Sequence, residues 1–521
     1  MRYVSLFFDL CPVTGLSCGY LPSFCRMGVA RRMLVTFLLL LVSNASRATG
    51  YYTFDGIRYF VDTYNGFATV AGPLNKSLKT YTVLSTVAVD GVEYRVTSLE
   101  RNSFSDCGNL QNMVIPSSVN SLEAYSFANC ASLQSIVIPS SVVNLEDFCF
   151  SGCSSLQGID IPSSVTSLGK SCFKGCSSLQ SIDIPCSVTG LEKSCFQGCC
   201  SLQSIDIPSS VDSLGESCFQ GCSSLLNIYI PSSVTILKNS CFQDCSSLQS
   251  ITIPSSVTGL QECCFEGCSS LQSIAIPSSV TWLGSACFCG CSSLREIDIP
   301  SSVVWVGPAC FYGCSSLQGI DIPSSVTSLG KSCFRNCSSL QSFCVPDSAD
   351  YLESYCFDGC KNLRSITISA SVKRIGTDCF GGCENLYNVT CLSLTPPSVD
   401  DRKSHYNYFL PRRCQILVPN EAVDVYKSES PWRNYSIYPI KETGILSVNV
   451  KGASAVVRDG MLVVSGLDDG EQVGFFCTDG KQIGNQRASR GVATMPLSSL
   501  CVAEEVVIVK TKNFTFKVKA K

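Results

Sequence analysis

Histidine and charge are both scarce in this sequence of 521 residues. His405 is the single histidine, and 15% of the residues are charged, with a formal net charge of −3. Ser-His catalysis, Cys-His catalysis and multi-histidine metal sites all require imidazoles that the chain does not supply. The balanced charge, with no basic patch, also argues against nucleic-acid binding. Most enzyme classes are therefore poor candidates, and we predict no cofactor and no catalytic residue.

Long apolar runs are absent as well. The longest, residues 34–42 (LVTFLLLLV), has about half of the ~20 residues that a membrane-spanning helix needs. Two arginines precede it and small residues follow it, which predicts a signal peptide within residues 1–48. Because the first residues do not fit the start of a signal peptide, translation is expected to begin at Met27 or Met33. The alternative interpretation of this run is a short buried core helix.

The chain has instead a repeat of 23 residues, which is visible in its prolines and phenylalanines. The unit at Ile161–Asp183 has the sequence IPSSVTSLGKSCFKGCSSLQSID. One unit offers about seven apolar side chains, too few to fold alone, so stacked coils are expected to share one core. Phenylalanine keeps the step from Phe104 to Phe380, and proline keeps it at Pro116, Pro139, Pro162, Pro185, Pro208, Pro231, Pro254, Pro277, Pro300, Pro323 and Pro346.

The segment before each proline predicts a short strand. In SLQSIDI, Ile182 and Ile184 are expected to point into the core and Asp183 to point out, because side chains alternate along a strand. Pro185 ends the strand because it cannot donate a ladder hydrogen bond.

The segment SCFQGC that follows this proline along the chain predicts a short helical or 3₁₀ turn. Its apolar residues Cys195, Phe196 and Cys199 stand at positions i, i+1 and i+4, a spacing that gives a helical turn one apolar face. Strand plus turn predicts an α/β leucine-rich repeat solenoid.

The repeat resembles a known family. Its pattern of A/C-F-x-x-C followed by S-L-x-x-I-x-I-P, over roughly Val96–Cys391, is similar to the BspA-like leucine-rich repeats of bacterial surface proteins, which also occur in some parasitic protists. The resemblance implies a secreted or surface-exposed binding or adhesion protein and not an enzyme. One departure is that cysteine replaces the family's usual alanine before the phenylalanine in eleven repeats, from Cys149 to Cys379.

The composition changes along the chain predict five segments. After the signal peptide, residues 49–95 alternate β-forming residues with DG and NG turns and are expected to form an N-terminal β cap. Residues 96–391 are the solenoid. Residues 392–441 are expected to form a C-terminal cap with a short helix around Ala422–Ser428. Residues 442–521 show short alternating strands and predict a small β-sandwich.

The last segment also resembles the C-terminal sorting domain of type IX secretion, which carries proteins across the outer membrane of Bacteroidetes-type bacteria. An ordinary immunoglobulin-like end domain that stays on the mature protein is the alternative. The resemblance depends on Asp459-Gly460, Gly466, Asp479-Gly480 and Lys517-Val518.

The 36 cysteines would suggest a disulfide framework in an exported chain. Twenty-four of them, however, fall in two columns beside the phenylalanines, such as Cys172 and Cys176, where they are expected to pack as small apolar side chains. We predict mostly free thiols, although stacked coils would bring like cysteines close enough to bridge, so pairing stays open. The spacing C-x-x-x-C without histidines does not favour zinc.

Two columns of outward residues are candidate binding sites. The position between the two inward isoleucines forms the first, and repeated carboxylates there favour a cationic ligand or weak Ca²⁺ binding. Solubilising the sheet is the alternative role. The second column brings Trp282 and Trp305 onto adjacent coils, where they could anchor a ligand or pack on their own coils. The candidates of the first column are Asp160, Asp183, Asp206, Tyr229, Asp298 and Asp321.

Three functions follow from these patterns. The leading prediction is a surface protein that binds a protein or glycan on host or neighbouring cells, with no nucleic-acid partner and with membrane contact only through export and surface attachment. A structural spacer or surface-layer component without a specific ligand is the alternative. A hydrolase using aspartate pairs is disfavoured because no pocket is evident that would separate their pKa values.

Overall fold

The computed structural model describes two long stretches and several strands of the C-terminal segment. The predicted signal peptide and His405 lie outside the described residues. The described ranges are 49–400, 409–440, 448–450, 453–458, 461–476, 482–489, 491–496, 506–511 and 515–519.

Residues 50–99 form six short strands, in the segment where the sequence predicts an N-terminal β cap. Tight turns at Asp55-Gly56 and Asp90-Gly91, with positive φ at each residue, join antiparallel neighbours. The last strand pairs in parallel with Ser121–Leu122, so this sheet runs directly into the repeats. The strands are Gly50–Phe54, Ile57–Asp62, Phe67–Pro73, Thr80–Thr82, Thr86–Val89 and Val92–Leu99.

Each repeat forms one coil of a solenoid, and parallel pairing between coils occurs along two ladders. The first ladder passes through the segment before each proline, where single-residue bridges such as Asp160↔Asp183 alternate with short strands. The 23-residue solenoid predicted from the sequence is thus confirmed. Its strands are Asn112–Val114, Ser273–Ala275, Glu296–Asp298, Ser342–Cys344, Ser365–Ile368, Asn388–Cys391, Gln415–Val418 and Ser436–Pro439.

The second ladder follows the proline by about five residues and was not predicted. Its inward residue is a leucine in most coils, as in V-T-S-L, and is Val306 or Ile375 in two others, and residues such as Gly190 and Ser213 pair across adjacent coils. The two ladders lie on different sides of the coil, with the Pro-Ser-Ser turn between them. The second ladder begins with Val92–Leu99. Its further strands are Ser121–Leu122, Asn144–Leu145, Ser167–Leu168, Gly190–Leu191, Ser213–Leu214, Trp282–Leu283, Trp305–Val306, Tyr351–Leu352, Arg374–Ile375 and Ser398–Val399.

The segment between the second and first ladders is a run of linked turns and not the predicted helical or 3₁₀ turn. The amides of Cys195, Gln197 and Cys199 donate within the coil, each to the carbonyl three residues earlier, at 3.1–3.2 Å. The amides of Ser194, Phe196 and Gly198 donate instead to the next coil, at 2.7–2.9 Å. Because Ser194 and Gly198 also have positive φ, the chain cannot continue as a right-handed helix.

The core is one continuous cluster from Ile57 to Ile437. Along its axis the thirteen phenylalanines from Phe104 to Phe380 stack with their rings nearly parallel, and consecutive ring centroids are 5.3–5.9 Å apart. Each ring is fully buried or nearly so. The stack supplies each coil with the apolar partner that it lacks alone.

The two cysteine columns flank this stack in the core, as predicted. In the second column most thiols have a partner as well: Cys199 Sγ donates to the carbonyl of Phe173 at 3.2 Å, and Cys222 Sγ donates to that of Phe196 at 3.3 Å. The same bond recurs from Cys130 to Cys383. The cysteines of the described residues carry free thiols in this structure.

The solenoid ends in a short helical segment, which contains the only α-helix among the described residues. It contains the 3₁₀ turn Asn420–Ala422, the α-helix Val423–Ser428 and the 3₁₀ turn Trp432–Asn434. Trp432 is buried and its Nε1 donates to the carbonyl of Pro397 at 2.8 Å, while its ring meets Tyr426 edge-on. This aromatic cluster covers the open end of the core.

The described part of the C-terminal segment has its own core. Two four-stranded antiparallel sheets contribute buried side chains to one cluster, including Leu462 and Val464 from one sheet and Phe475 and Val507 from the other. That is the arrangement of a sandwich. The strands are Val448–Val450, Ala453–Arg458, Met461–Ser465 and Val492–Pro496 in one sheet, and Gln472–Phe476, Gln482–Arg487, Val506–Lys510 and Thr515–Lys519 in the other.

Candidate functional site

The predicted aspartates lie in register on the outer face of the first ladder. Asp160, Asp183 and Asp206 occupy successive parallel bridges and are exposed. Parallel strands lie about 5 Å apart, so the three carboxylates repel one another across the coils. Exposure to water weakens that repulsion.

A second acidic pair begins four coils after Asp206 on the first ladder. Asp298 is in register with Ala275, and Asp321 follows on the next coil. The pKa of Asp321 is raised, because nearby protein atoms remove part of its hydration and because Asp298 repels its charge. Tyr229, between the two acidic groups, is 65% exposed.

These carboxylates do not converge on one point. Among the described residues, no group of three or more histidine, cysteine, aspartate or glutamate side chains is placed to hold a metal ion. Ca²⁺ takes six to eight oxygen ligands, and a straight row of single carboxylates does not surround a cation in this way. The row forms an acidic stripe.

The two predicted tryptophans lie side by side on the second ladder. Trp282 and Trp305 are direct register partners on adjacent coils. Trp282 also leans on the preceding coil: a Cβ atom added to Gly259 would lie 2.5 Å from Cε2 of its ring. Trp282 thus packs against the preceding coil and not on its own coil, whereas Trp305 remains 38% exposed.

A neighbouring apolar residue was missed by the sequence analysis. Val304 lies beside Trp305 and is 52% exposed, at a position where half of the coils have threonine and the others have asparagine, aspartate, lysine or valine. The available signal was a valine at this outward position directly before a tryptophan. Together with the tryptophan pair, Val304 forms an apolar patch, whereas the exposed Val143 and Ile236 lie on coils of this ladder that carry no tryptophan.

The structure does not bring the two sets of candidate residues together. The acidic stripe lies on the first ladder and the apolar patch on the second, and within one coil Asp298 and Trp305 are separated by the turn after Pro300. The repeat pattern predicts both as outward columns but does not assign them to separate sides of the coil. They are two surfaces and cannot form one pocket.

The core thiols are not suited to act as nucleophiles. Burial raises the pKa of Cys176 and of Cys268 to about 12, and it also raises the pKa of fully enclosed thiols such as Cys172 well above its ordinary value. A nucleophilic thiolate needs an electropositive or histidine-paired environment, which lowers the pKa. These thiols remain protonated at neutral pH.

Stacked 23-residue coils, a leucine- and isoleucine-lined core and a short parallel ladder define a leucine-rich repeat solenoid. The family described as the BspA type leucine rich repeat region matches residues 97–226, 148–272, 214–307 and 260–387, which together span more than half of the chain. The chain belongs to this family. No curated protein sequence matches it.

Several solved structures are similar to this chain. A leucine-rich repeat protein from Bacteroides ovatus ATCC 8483 is 29% identical, with 70% of this chain and 99% of that chain covered and a TM-score of 0.59. A leucine rich cell surface protein from Faecalibacterium prausnitzii A2-165 is 22% identical, covering 70% of this chain and 98% of its own, with a TM-score of 0.44. The pneumococcal vaccine antigen PcpA is 18% identical, covering 76% of this chain and 100% of its own, with a TM-score of 0.48.

The relatives are repeat proteins and do not belong to enzyme families, which is consistent with a chain that is not an enzyme. Within the described ranges, the helices are all too short or too polar to cross a bilayer.

Proposed function

We propose that this chain is an exported cell-surface protein that binds another protein through the apolar patch of its second ladder. The observation that carries the proposal is the juxtaposition of Trp282 and Trp305 on adjacent coils, with Val304 and Trp305 open to solvent. Large aromatic side chains dominate protein interfaces because they bring much contact area with little loss of conformational entropy.

The solenoid supports this role mechanically. Trp282 is held by its contact over Gly259 and by pairing of its backbone with Trp305. A side chain that is already fixed loses little freedom when a partner covers it, so more of the contact energy appears as affinity. Family membership supports the same conclusion, since BspA-like repeats are typical of surface proteins that bind or adhere.

Export remains part of the proposal. It is supported by the apolar run within residues 1–48 and by the resemblance of residues 442–521 to a type IX sorting domain. In that resemblance, Gly466 has a φ of 79° and the Lys517-Val518 pair lies in the strand Thr515–Lys519, while Asp459-Gly460 and Asp479-Gly480 lie outside the described residues. Mass spectrometry of the secreted protein tests the sorting function, and an intact C-terminus beyond Lys517 would contradict it.

The binding surface is tested by alanine substitution. Purified full-length chain is used to capture partners from host matrix and cell-surface proteins, and the affinity of the captured partner is then measured for Trp282→Ala plus Trp305→Ala. We expect a loss of at least about 2 kcal/mol of binding free energy, which is typical of central aromatic contacts. Tyr438→Ala, an exposed aromatic in the C-terminal cap, is the matched control and should bind normally.

The spacer alternative is tested by shortening the solenoid. Deleting residues 255–323 removes three repeats and rejoins Pro254 to Ser324, so the junction keeps the sequence IPSS. This deletion removes Trp282, Val304 and Trp305, whereas the matched deletion of residues 163–231 also removes three repeats and keeps them. A binding protein should lose its partner in the first deletion only, whereas a spacer should keep the same surface display in both and should show no difference in capture of host proteins.

The acidic stripe of Asp160, Asp183 and Asp206 is proposed only to bind cations weakly or to keep the first ladder soluble. Calorimetric titration with Ca²⁺ separates the two roles, and the absence of any heat would leave solubility as the role of the stripe.

A further inference from the structure

One surface of the first ladder changes character near the end of the solenoid. The position after each inward leucine is glutamine in most coils and continues as Gln318, Gln341, Arg364 and Tyr387. Their backbones form a ladder: Arg364 N donates to Gln341 O at 2.8 Å, and Tyr387 N donates to Arg364 O at 3.1 Å. Successive side chains are therefore about 5 Å apart. The sequence signal was the replacement of glutamine at two neighbouring coils.

A groove follows this row. One cleft of about 450 Å³ is lined by Arg364, Asn385, Tyr387 and Arg413. An adjoining cleft of about 200 Å³ shares Arg364, and its other lining residues are Gln318, Ser339, Gln341 and Asn362. Guanidinium, amide, hydroxyl and phenol groups line the two clefts, and no carboxylate does. The groove therefore offers many hydrogen-bond donors and a positive charge.

Arg413 is held in place before any ligand arrives. Its Nη2 donates to the backbone carbonyl of Glu384 and, at 3.2 Å, to Oδ1 of Asn385. Asn385 is itself anchored, because its Nδ2 donates to the carbonyl of Lys361 at 2.9 Å. The remaining N–H groups of Arg413 have no hydrogen-bond partner among the described residues and can meet a ligand.

Arg364 and Tyr387 complete the site. In the described part of the chain, the Arg364 side chain makes no hydrogen bond or ion pair, and it is exposed. Tyr387 is 49% exposed and lies on the coil between those that carry Arg364 and Arg413. An open aromatic ring is thus flanked by two guanidinium groups, each of which has donors to spare.

We propose that this groove binds a saccharide that carries carboxylate groups. Guanidinium groups recognise planar carboxylates with paired hydrogen bonds, and the amides of the groove match sugar hydroxyls. The Tyr387 ring offers its electron-rich face to the C–H side of a pyranose. The groove lies on the first ladder and does not depend on the protein-binding patch around Trp305.

The test uses calorimetric titration of the full chain with a hyaluronan hexasaccharide, in which every second sugar carries a carboxylate. Chitohexaose, a neutral saccharide of the same length, is the matched ligand control. We expect the acidic saccharide to bind and to weaken as salt is raised, and the neutral one to bind at least about tenfold more weakly, because hydrogen bonds to charged groups are the stronger ones.

Substitutions locate the binding. Arg364→Gln removes a charge that forms no ion pair with any described residue. Folding should therefore be unchanged, while the affinity for the acidic saccharide falls about tenfold or more. Tyr387→Ala should cause a loss of similar size, and Tyr387→Phe should retain most of the affinity. Arg295→Gln is the matched control: it removes an exposed arginine at the same repeat position three coils earlier, where both neighbours are glutamines, and should change affinity by less than about twofold.

Four results would overturn the proposal. These are no binding at millimolar hyaluronan hexasaccharide by a folded chain, equal binding of chitohexaose, an equal loss in Arg295→Gln, and equally tight binding of a hexaglutamate peptide with the same dependence on Arg364. The last result would assign the groove to acidic peptides.

Discussion

At the scale of the residue, each column of the repeat performs a distinct physical task. The second serine of most IPSS segments donates its hydroxyl to a valine carbonyl of the preceding coil, as Ser210 does to Val188 at 2.7 Å. A carbonyl that is buried without any donor costs about 1–3 kcal/mol. The second cysteine column from Cys130 onward donates to phenylalanine carbonyls, and the first column fills space beside the rings. These phenylalanine carbonyls also accept a backbone amide, as that of Phe173 does from Cys176 at 3.1 Å, so each thiol adds a second donor.

Thiol reactivity should report this burial directly. In native protein at pH 8, a maleimide should label the exposed Cys186 and Cys200 within minutes, because reagent and solvent reach them. Core thiols such as Cys218, whose pKa burial raises to about 12, should react only after unfolding. Timed labelling followed by peptide mass spectrometry measures the two rates. Equal labelling of Cys218 and Cys200 would show that the columns are open.

At the scale of the element, the linked turns decide the shape of the coil. Each run contains two positions with positive φ, represented by Ser194 and Gly198. The second of these is always a residue that tolerates the left-handed region, since glycine, asparagine and aspartate alone occupy it. Its members are Asp106, Asn129, Gly152, Gly175, Gly198, Gly221, Asp244, Gly267, Gly290, Gly313, Asn336, Gly359 and Gly382.

Substitution at Gly175 tests this requirement. A Cβ atom added there would meet only Gly152 at 3.8 Å, so there is space and the backbone angle of 73° decides the outcome. Gly175→Val should lower the free energy of unfolding by about 1–2 kcal/mol, because a β-branched residue is strained at positive φ. Gly175→Asn, which imitates Asn129 and Asn336, should cost less. Urea unfolding followed by circular dichroism compares the pair, and equal losses would refute the backbone explanation.

At the scale of the whole molecule, the core is quasi-one-dimensional. Each coil contacts its two neighbours, and the phenylalanine stack and the cysteine columns run through all of them. Stability is then the sum of many similar interfaces between coils. The strands around Val96 cover the core at one end, and the aromatic cluster around Trp432 covers it at the other. A change in conditions that destabilises every coil at once therefore lowers the total free energy of unfolding by a large amount.

Alkaline pH is such a change. Thiols in the unfolded chain ionise near their ordinary pKa of about 8.5, whereas burial raises the folded pKa of Cys218 and Cys356 to about 12. The folded state therefore holds more protons, and stability that is fully present below pH 8.5 is lost as pH rises toward 12. Above pH 8.5 the free energy of unfolding falls by up to about 1.4 kcal/mol per pH unit for each buried thiol that unfolding exposes.

Urea midpoints at pH 7 and pH 10 measure this loss, and we expect a clearly lower midpoint at pH 10. Between pH 5 and pH 7 the thiols are protonated in both states, so this interval is the control and their contribution should be constant. An unchanged midpoint at pH 10 would mean that the thiols ionise equally in both states.

Much of the fold was predictable because the period places equivalent residues at equivalent positions. Ile182, Ile184 and Phe196 point inward as expected, since a strictly repeated apolar residue has only the shared core to enter. The turn around Phe196 was predicted wrongly, because the apolar spacing i, i+1 and i+4 suits a helix equally well. Which carbonyl each amide reaches depends on the neighbouring coil, and that coil is not visible from one unit.

The candidate sites show the same division. The exposed positions of Asp183 and Trp305 follow from their places in the repeat, but their separation onto two ladders does not. The groove at Arg364 and Tyr387 was missed because Arg413 lies beyond the regular repeat, and only folding brings it to the next coil.

The sequence by itself determined the period, the family and the inward residues, because a short unit repeated without slips leaves one way to bury its apolar side chains. The tertiary structure decided how the backbone of each coil is bonded and which exposed residues become neighbours. Those outcomes depend on hydrogen bonds and contacts between coils, and no single stretch of sequence contains both partners.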